Sequence, residues 1–163
     1  MFIDFVLTDN NKDMEPFAKK LGFSKLVFLN DFAKNGLFLS KDYETNRKMV
    51  ENKKIKVLVN PHVNSLKDSL HHRSSGLDQV LCSFANKNKI AVAFSFDTLT
   101  SPTMLGRVKQ NINLCRKFKV RMLFFSFAED IYGMKSVIDL MSLLKVLGMT
   151  GKEAKEALSG FQT

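Results

Sequence analysis

The sequence predicts an α/β fold, an irregular and trimmed (β/α) TIM-barrel-like architecture with mostly parallel strands. Three observations carry that expectation. Apolar runs of strand length alternate with amphipathic helical patterns about six times along the chain, the signature of parallel α/β architecture. The strongest runs, 90–96 and 120–127, are apolar nearly throughout instead of alternating, as strands covered on both faces are. Finally, no Gly-rich GxGxxG turn marks the dinucleotide-binding version of an open sheet. Six strands fall short of the eight of a full barrel. The length of 163 residues fits one domain, 1–163, large enough to bury about two thirds of its unfolded surface.

The elements follow in order. Residues 2–7 are an apolar run interrupted by Asp4 and read as the first strand, followed by a polar turn at 8–13. Phe17, Ala18 and Leu21 lie on one face of a short helix over 14–21, which Gly22 ends. A second strand is expected at 25–29. A brief third is expected at 37–39, after the Asn35-Gly36 turn. The polar, basic stretch 42–54 predicts an exposed helix, and 55–59 a fourth strand ending at Asn60-Pro61-His62. His71, His72 and Arg73 fall in a loop. Ser75 with Asp78 three residues on predicts a capping box for a helix with Leu77, Val80, Leu81, Phe84 and Ala85 on its buried face. Strand 90–96 follows. The helix of about 101–119 buries Leu105, Val108, Ile112 and Cys115, and strand 120–127 comes next. Val137, Leu140, Met141, Leu144 and Leu147 mark another helix, stopped by Gly148. Thr150 and Glu153 form a second capping box that opens the last helix.

Composition narrows the function. Hydrophobic residues make up 45% and charged residues 25%, an ordinary globular balance. No apolar run approaches the roughly 20 residues of a membrane span, and MFIDFVLTDN lacks the basic start and cleavage site of a signal peptide. Cys82 and Cys115 both fall on apolar helical positions and read as buried free thiols. A cytoplasmic location is therefore expected. The 15 Phe, against two Tyr and no Trp, are chiefly core. Lys and Arg number 25 against 16 acids, a net charge of +9, an imbalance that suits a polyanionic partner.

That charge concentrates on one helix. From 101 to 121 there are six basic residues and no acid: Arg107, Lys109, Arg116, Lys117, Lys119 and Arg121. Lys109, Asn113 and Arg116 project together at helical spacing, away from Ile112. Arg107 stands near the helix start, where a parallel strand hands over to its loop. Such groups replace counterions around phosphates. Strand ends also offer Asp31, His62, Asp97, Glu129 and Asp130, from which a metal-dependent phosphoesterase could be assembled. The first strand, however, lacks a His-x-His pair. There is no GxSxG elbow and no Walker loop for nucleophilic or nucleotide chemistry.

The second half, about 56–160, resembles archaeal ribonuclease P protein component 3, a family related to the thirty-kilodalton subunit of the eukaryotic enzyme. The resemblance rests on SGLDQVLCSFANKNKIAVAFSF, on the helix with Arg107, Asn111, Leu114 and Cys115, and on 125–130. It continues through Lys135-Ser136 to Asp139-Leu140-Met141 and the C-terminal LGMTGKEAKEALS. Lys135 stands where the family usually has Arg. The resemblance implies an irregular (β/α) barrel that binds no cofactor of its own. It implies a noncatalytic subunit of an endoribonuclease whose RNA carries catalysis and requires magnesium. The partners it implies are the ribonuclease P RNA, precursor tRNA, and protein component 2 in a heterodimer or heterotetramer. Within that reading, Arg73, Arg107, Lys109, Arg116 and Lys135 are the expected RNA-backbone contacts. The metal-dependent phosphoesterase on a related barrel is the alternative.

Overall fold

The computed structural model describes residues 1–9, 13–64, 67–71 and 73–160. Strands and helices alternate as β1 (Ile3–Val6), α1 (Met14–Lys20), β2 (Lys25–Phe28), β3 (Leu37–Leu39), α2 (Tyr43–Glu51), β4 (Val57–Val59), α3 (Gln79–Asn88), β5 (Ala91–Ser95), α4 (Pro102–Lys117), β6 (Met122–Phe125), α5 (Val137–Val146) and α6 (Gly151–Leu158). Every strand pairing is parallel: β1 with β2, and β3-β4-β5-β6 in sequence order. Beyond β6 the chain continues alongside β1. Phe127 donates its N–H to the Phe5 carbonyl (3.0 Å), and Leu7 donates to that of Ala128 (2.9 Å). Asp4 Oδ1 accepts the Ser126 N–H at 2.7 Å. The strand series thus runs β2-β1-β6-β5-β4-β3, and among the described residues no ladder pairs β2 with β3.

Alternation along the strands separates two apolar layers. Phe5, Val27, Val57, Val59, Ala91, Ala93, Leu123 and Phe125 face one side. Their neighbours Val6, Leu26, Phe28, Leu58, Val92, Phe94, Met122 and Phe124 face the helices. Both sides are buried, which is why the central strands read as continuous apolar runs. On the first side phenylalanines fill the space: the Phe5 and Phe125 rings sit 4.3 Å apart, and Phe32 lies 5.5 Å from Phe5 and 5.4 Å from Phe127.

Two sequence expectations are corrected. Ser75 and Asp78 do not form a capping box. Asp78 is itself the N-cap of α3, its Oδ1 accepting the Leu81 N–H at 2.7 Å, while Ser75 is buried and its Oγ accepts from the Gln110 amide at 3.1 Å. The helix consequently starts at Gln79, and Val80 turns outward, 45% exposed. Strand β6 is also shorter than the apolar run 120–127: Val120 still donates its N–H back to the Cys115 carbonyl of α4 (2.8 Å), and beyond Phe125 the chain takes a left-handed conformation at Phe127 (φ 52°). By contrast, the Thr150–Glu153 capping box forms as expected.

Candidate nucleic-acid interface

Helix α4 organises the site. Ser101 caps it, accepting the Met104 N–H at 3.3 Å, and Pro102 supplies a fixed φ where its missing N–H costs nothing. Arg116 and Lys117 fall in the last turn, where they complement the helix dipole. Its buried stripe is Arg107, Val108, Asn111, Ile112 and Cys115. Cys115 meets Cys82 of α3, both thiols being free and fully buried. Their mutual hydrogen bond, with burial, pushes the Cys115 thiol well above its ordinary range.

Three side chains of α4, Arg107, Gln110 and Asn111, fasten the loop that precedes α3. Arg107 Nε donates to Asp68 Oδ1 (2.9 Å) and Nη1 to the His62 carbonyl (2.9 Å), with the guanidinium 5% exposed. Burial raises the Asp68 carboxyl, but hydrogen bonds from Arg107 and Ser74 and the charges of Arg107 and Arg73 hold it below its usual value. Asn111 donates to the Ser75 carbonyl at 2.9 Å, and Gln110 to that of Arg73 at 3.3 Å. At Gly106 the helix backbone lies bare beneath Arg73. A Cβ there would meet Arg73 Cζ at 3.2 Å, so glycine lets the guanidinium lie across the helix. The Arg73 Nη1 donates to the Gly106 carbonyl at 3.4 Å.

The result is a groove of about 420 Å³ lined by Arg73, Lys109, Gln110, Asn113, Leu114 and Lys117. Lys109, Asn113 and Lys117 are exposed and run along one line of the helix. Among the described residues neither lysine has an ion-pair partner. Such a surface offers an unneutralised row of positive charge to a chain of phosphates.

The five expected contact residues therefore separate. Arg73 and Lys109 share the groove. Arg107 lies beneath it, spent on Asp68 and His62. Arg116 turns toward α6: its Nε and Nη2 grip Glu153 at 2.8 and 2.7 Å, and Nη2 also donates to the Gly148 carbonyl at 2.6 Å. This fork is what lowers the Glu153 carboxyl to about 2. Lys135 does not line the groove. It lies 5.1 Å over the Phe96 ring and donates to the Gly133 carbonyl at 3.2 Å. Lys117 and Gln110 were not singled out as contacts from sequence, although the spacing 109, 113, 117 already draws the line they occupy. His71 is exposed in the loop, whereas His72 lies outside the described residues.

Three of the strand-end acids, Asp31, Asp97 and Asp130, are engaged locally. Asp31 pairs with Lys34 at 2.8 Å, and Asp130 accepts the N–H groups of Tyr132 and Gly133 at 2.9 and 2.8 Å, a turn role. Burial, opposed by hydrogen bonds from Ser95 and the local backbone and reinforced by the Glu129 charge, raises the Asp97 carboxyl. Among the described residues no group of three or more His, Cys, Asp and Glu side chains converges as a metal site would require.

Comparison with known proteins finds relatives over much of the chain. Ribonuclease P protein component 3 of Methanococcoides burtonii is 32% identical over 124 residues, covering 72% of this chain and 48% of the relative. The chain is homologous to archaeal ribonuclease P protein component 3. The component 3 protein of Methanosarcina acetivorans matches at 32% over 63% of this chain and 45% of its own length. That of Methanococcus maripaludis strain C7 matches at 25% over 87% of this chain and 57% of its own. The chain thus spans about half the length of the component 3 proteins it matches. No family model matches the sequence. A chain in the cryo-EM structure of archaeal ribonuclease P with mature tRNA shares the fold, with a TM-score of 0.65 at 20% identity. It covers 95% of this chain and 76% of that one.

Proposed function

We propose that this protein is a noncatalytic subunit of ribonuclease P. In this role it binds and stabilises the catalytic RNA and so supports endonucleolytic removal of the 5′ leader from precursor tRNA. The observation that carries the reading is the α4 groove, where Arg73 of the preceding loop joins Lys109 and Lys117 beside a stretch that has no acid from 101 to 121. The similarity to component 3 proteins supports ribonuclease P as the enzyme that such a surface would serve. Protein component 2 is the expected partner, in a heterodimer or heterotetramer, and the cytoplasm the expected location. Magnesium would belong to the RNA, with no cofactor held by the protein. We also read the six strands as a trimmed (β/α) barrel, supported by the single apolar layer in which Val27 of β2 and Leu37 of β3, the two ends of the series, pack with Phe5, Phe32, Phe125 and Phe127.

Two measurements test this. Binding to the ribonuclease P RNA is expected to fall steeply with salt, and the triple variant Arg73→Ala, Lys109→Ala, Lys117→Ala to reduce the log–log slope by about 2 to 3, one phosphate per residue removed. A wild-type affinity insensitive to salt would count against the role. In the second, precursor-tRNA cleavage at low magnesium is compared for RNA alone, RNA with component 2, and both with this protein. A large gain only on adding this protein is expected, and the triple variant should lose most of it.

A further inference from the structure

The loop that lends Arg73 to the basic groove also walls a second cavity. Ser74, Ser75 and Gly76 line it on one side and the 41–46 segment on the other, around a volume of about 470 Å³. Both segments leave the carboxyl ends of neighbouring strands, β3 and β4. Tyr43, Pro61 and Leu77 supply apolar wall, and Asn64 and Glu44 add polar groups. A size within the roughly 300–1,000 Å³ of ligand pockets and an apolar lining with a few polar groups are the features of a small-molecule site.

The cavity is held in shape. Tyr43 donates its hydroxyl proton to Asp78 Oδ2 at 2.6 Å, while Asp78 Oδ1 is fixed by the Leu81 N–H at the start of α3. Asn46, itself buried, accepts from the Lys41 N–H at 2.8 Å and donates to the Lys41 carbonyl at 3.0 Å, which pins the opposite wall. The charge of the rim selects what can enter. Asp42, Glu44 and Asp78 stand against Lys41, so a phosphate is repelled and a group bearing N–H donors is favoured. Asp42 is occupied by the Thr45 N–H and hydroxyl, and Asp78 by Leu81 and Tyr43. Glu44 is exposed at the rim and in reach of a ligand.

We infer that this cavity receives one unpaired nucleobase of the bound RNA, a base with an exocyclic amino group, while the phosphates beside it rest on Arg73 and the α4 groove. The inference rests on the RNA-binding role proposed above and deepens it. RNA is read mainly through unstacked bases that splay out, stack on aromatic rings and present their edges to side chains. Tyr43 is the aromatic surface, Glu44 accepts from the amino group as carboxylates accept from cytosine N4, and Arg73, one residue before the cavity wall, holds the adjoining phosphate. Uracil, which has no amino group, is the base this rim disfavours.

Backbone amide NMR on the full chain tests the site with mononucleotides. Adenosine 5′-monophosphate is expected to shift the signals of Asn46, Gly76 and Leu77 saturably. Uridine 5′-monophosphate should do so more weakly, and ribose 5-phosphate should move only signals around Arg73 and Gln110. Glu44→Gln should narrow the difference between the adenine and uracil nucleotides. In a single-stranded oligoribonucleotide carrying 2-aminopurine, binding should quench the fluorescence. Tyr43→Ala should abolish the quenching and weaken binding about tenfold with the salt slope unchanged, whereas Tyr43→Phe, which keeps the ring, should retain the quenching. Identical shift maps for the adenine nucleotide and ribose 5-phosphate would overturn the site. Salt-dependent oligonucleotide binding without quenching would overturn it too, leaving the RNA-binding role standing. No oligonucleotide binding at all would remove that role and the inference together.

Discussion

Replacing Arg107 with leucine is expected to lower the stability of the fold by about 3 kcal/mol and to weaken RNA binding beyond what the loss of one surface charge would cause. The guanidinium is almost wholly enclosed and ends in the His62 carbonyl and the Asp68 carboxylate. Leucine covers part of the same volume but leaves that carbonyl buried without its donor, and an unsatisfied buried group carries the full desolvation penalty. The Asp68 carboxylate reaches solvent and is not the source of the cost, so Asp68→Asn alone should be much milder. Lysine should not rescue, because one ammonium cannot span two acceptors that a planar fork holds in fixed directions. The effect on RNA arises because Arg107 ties down the loop that carries Arg73. A urea midpoint for Arg107→Leu equal to that of the wild type would refute this account. Unchanged stability with lost RNA binding would instead place Arg107 in direct contact with phosphate.

Arg107 also shows where sequence reasoning reached its limit. The alternation of strands and helices, the parallel pairing and the burial of Cys82 and Cys115 were legible, because each depends on periodicity that survives without knowledge of neighbours. Most helix ends were legible for the same reason: Ser101, Thr150 and Gly148 act through the backbone next to them. The role of a basic side chain depends on what faces it across the fold. Arg107 is four residues before Asn111 and eight before Cys115, so it shares their inward stripe, a signal that spacing held but net charge obscured. Arg116 is on the outward face as expected, yet Glu153 arrives from a helix 37 positions away to occupy it. Ser75 and Asp78 match a capping box in spacing, and only the approach of Gln110 explains why Ser75 turns inward. The cavity beside Tyr43 was not legible at all, since its two walls meet through strand order.

Between about pH 4 and 6.5 the contributions of Asp4 and His62 to stability are expected nearly to cancel in the wild type, so that removing either tilts the profile relative to the wild type, in opposite directions. Asp4 is enclosed between β1 and the chain beyond β6, with Oδ2 buried and without a hydrogen-bond partner. Burial, only partly offset by the hydrogen bonds from Ser126 and Phe5, raises its carboxyl to about 6. The folded state therefore holds this proton more tightly than the unfolded chain, whose carboxyl titrates near 3.9. That stabilisation is complete below the unfolded value and is lost as pH rises through about 6, a difference of about 3 kcal/mol.

His62 works the other way. Thr98 spends its hydroxyl proton on the Ser95 carbonyl (2.8 Å), so it must accept from His62 Nε2–H at 3.0 Å. Nδ1 is left bare, buried and without a partner. Burial, with the Arg107 charge, lowers the imidazole to about 4. Its stabilising contribution is present above the unfolded value near 6.5 and is lost as pH falls through about 4, again by about 3 kcal/mol. Across this window the two groups oppose each other. Asp4→Asn keeps an oxygen for the Ser126 N–H and cannot ionise, so the variant should lose about 3 kcal/mol between pH 6.5 and 4 relative to the wild type. His62→Gln keeps a donor for Thr98 and cannot charge, and should gain a similar amount over the same interval. Urea denaturation at half-unit pH steps reads both slopes. Profiles of both variants that run parallel to the wild type would mean that neither buried group titrates in this range.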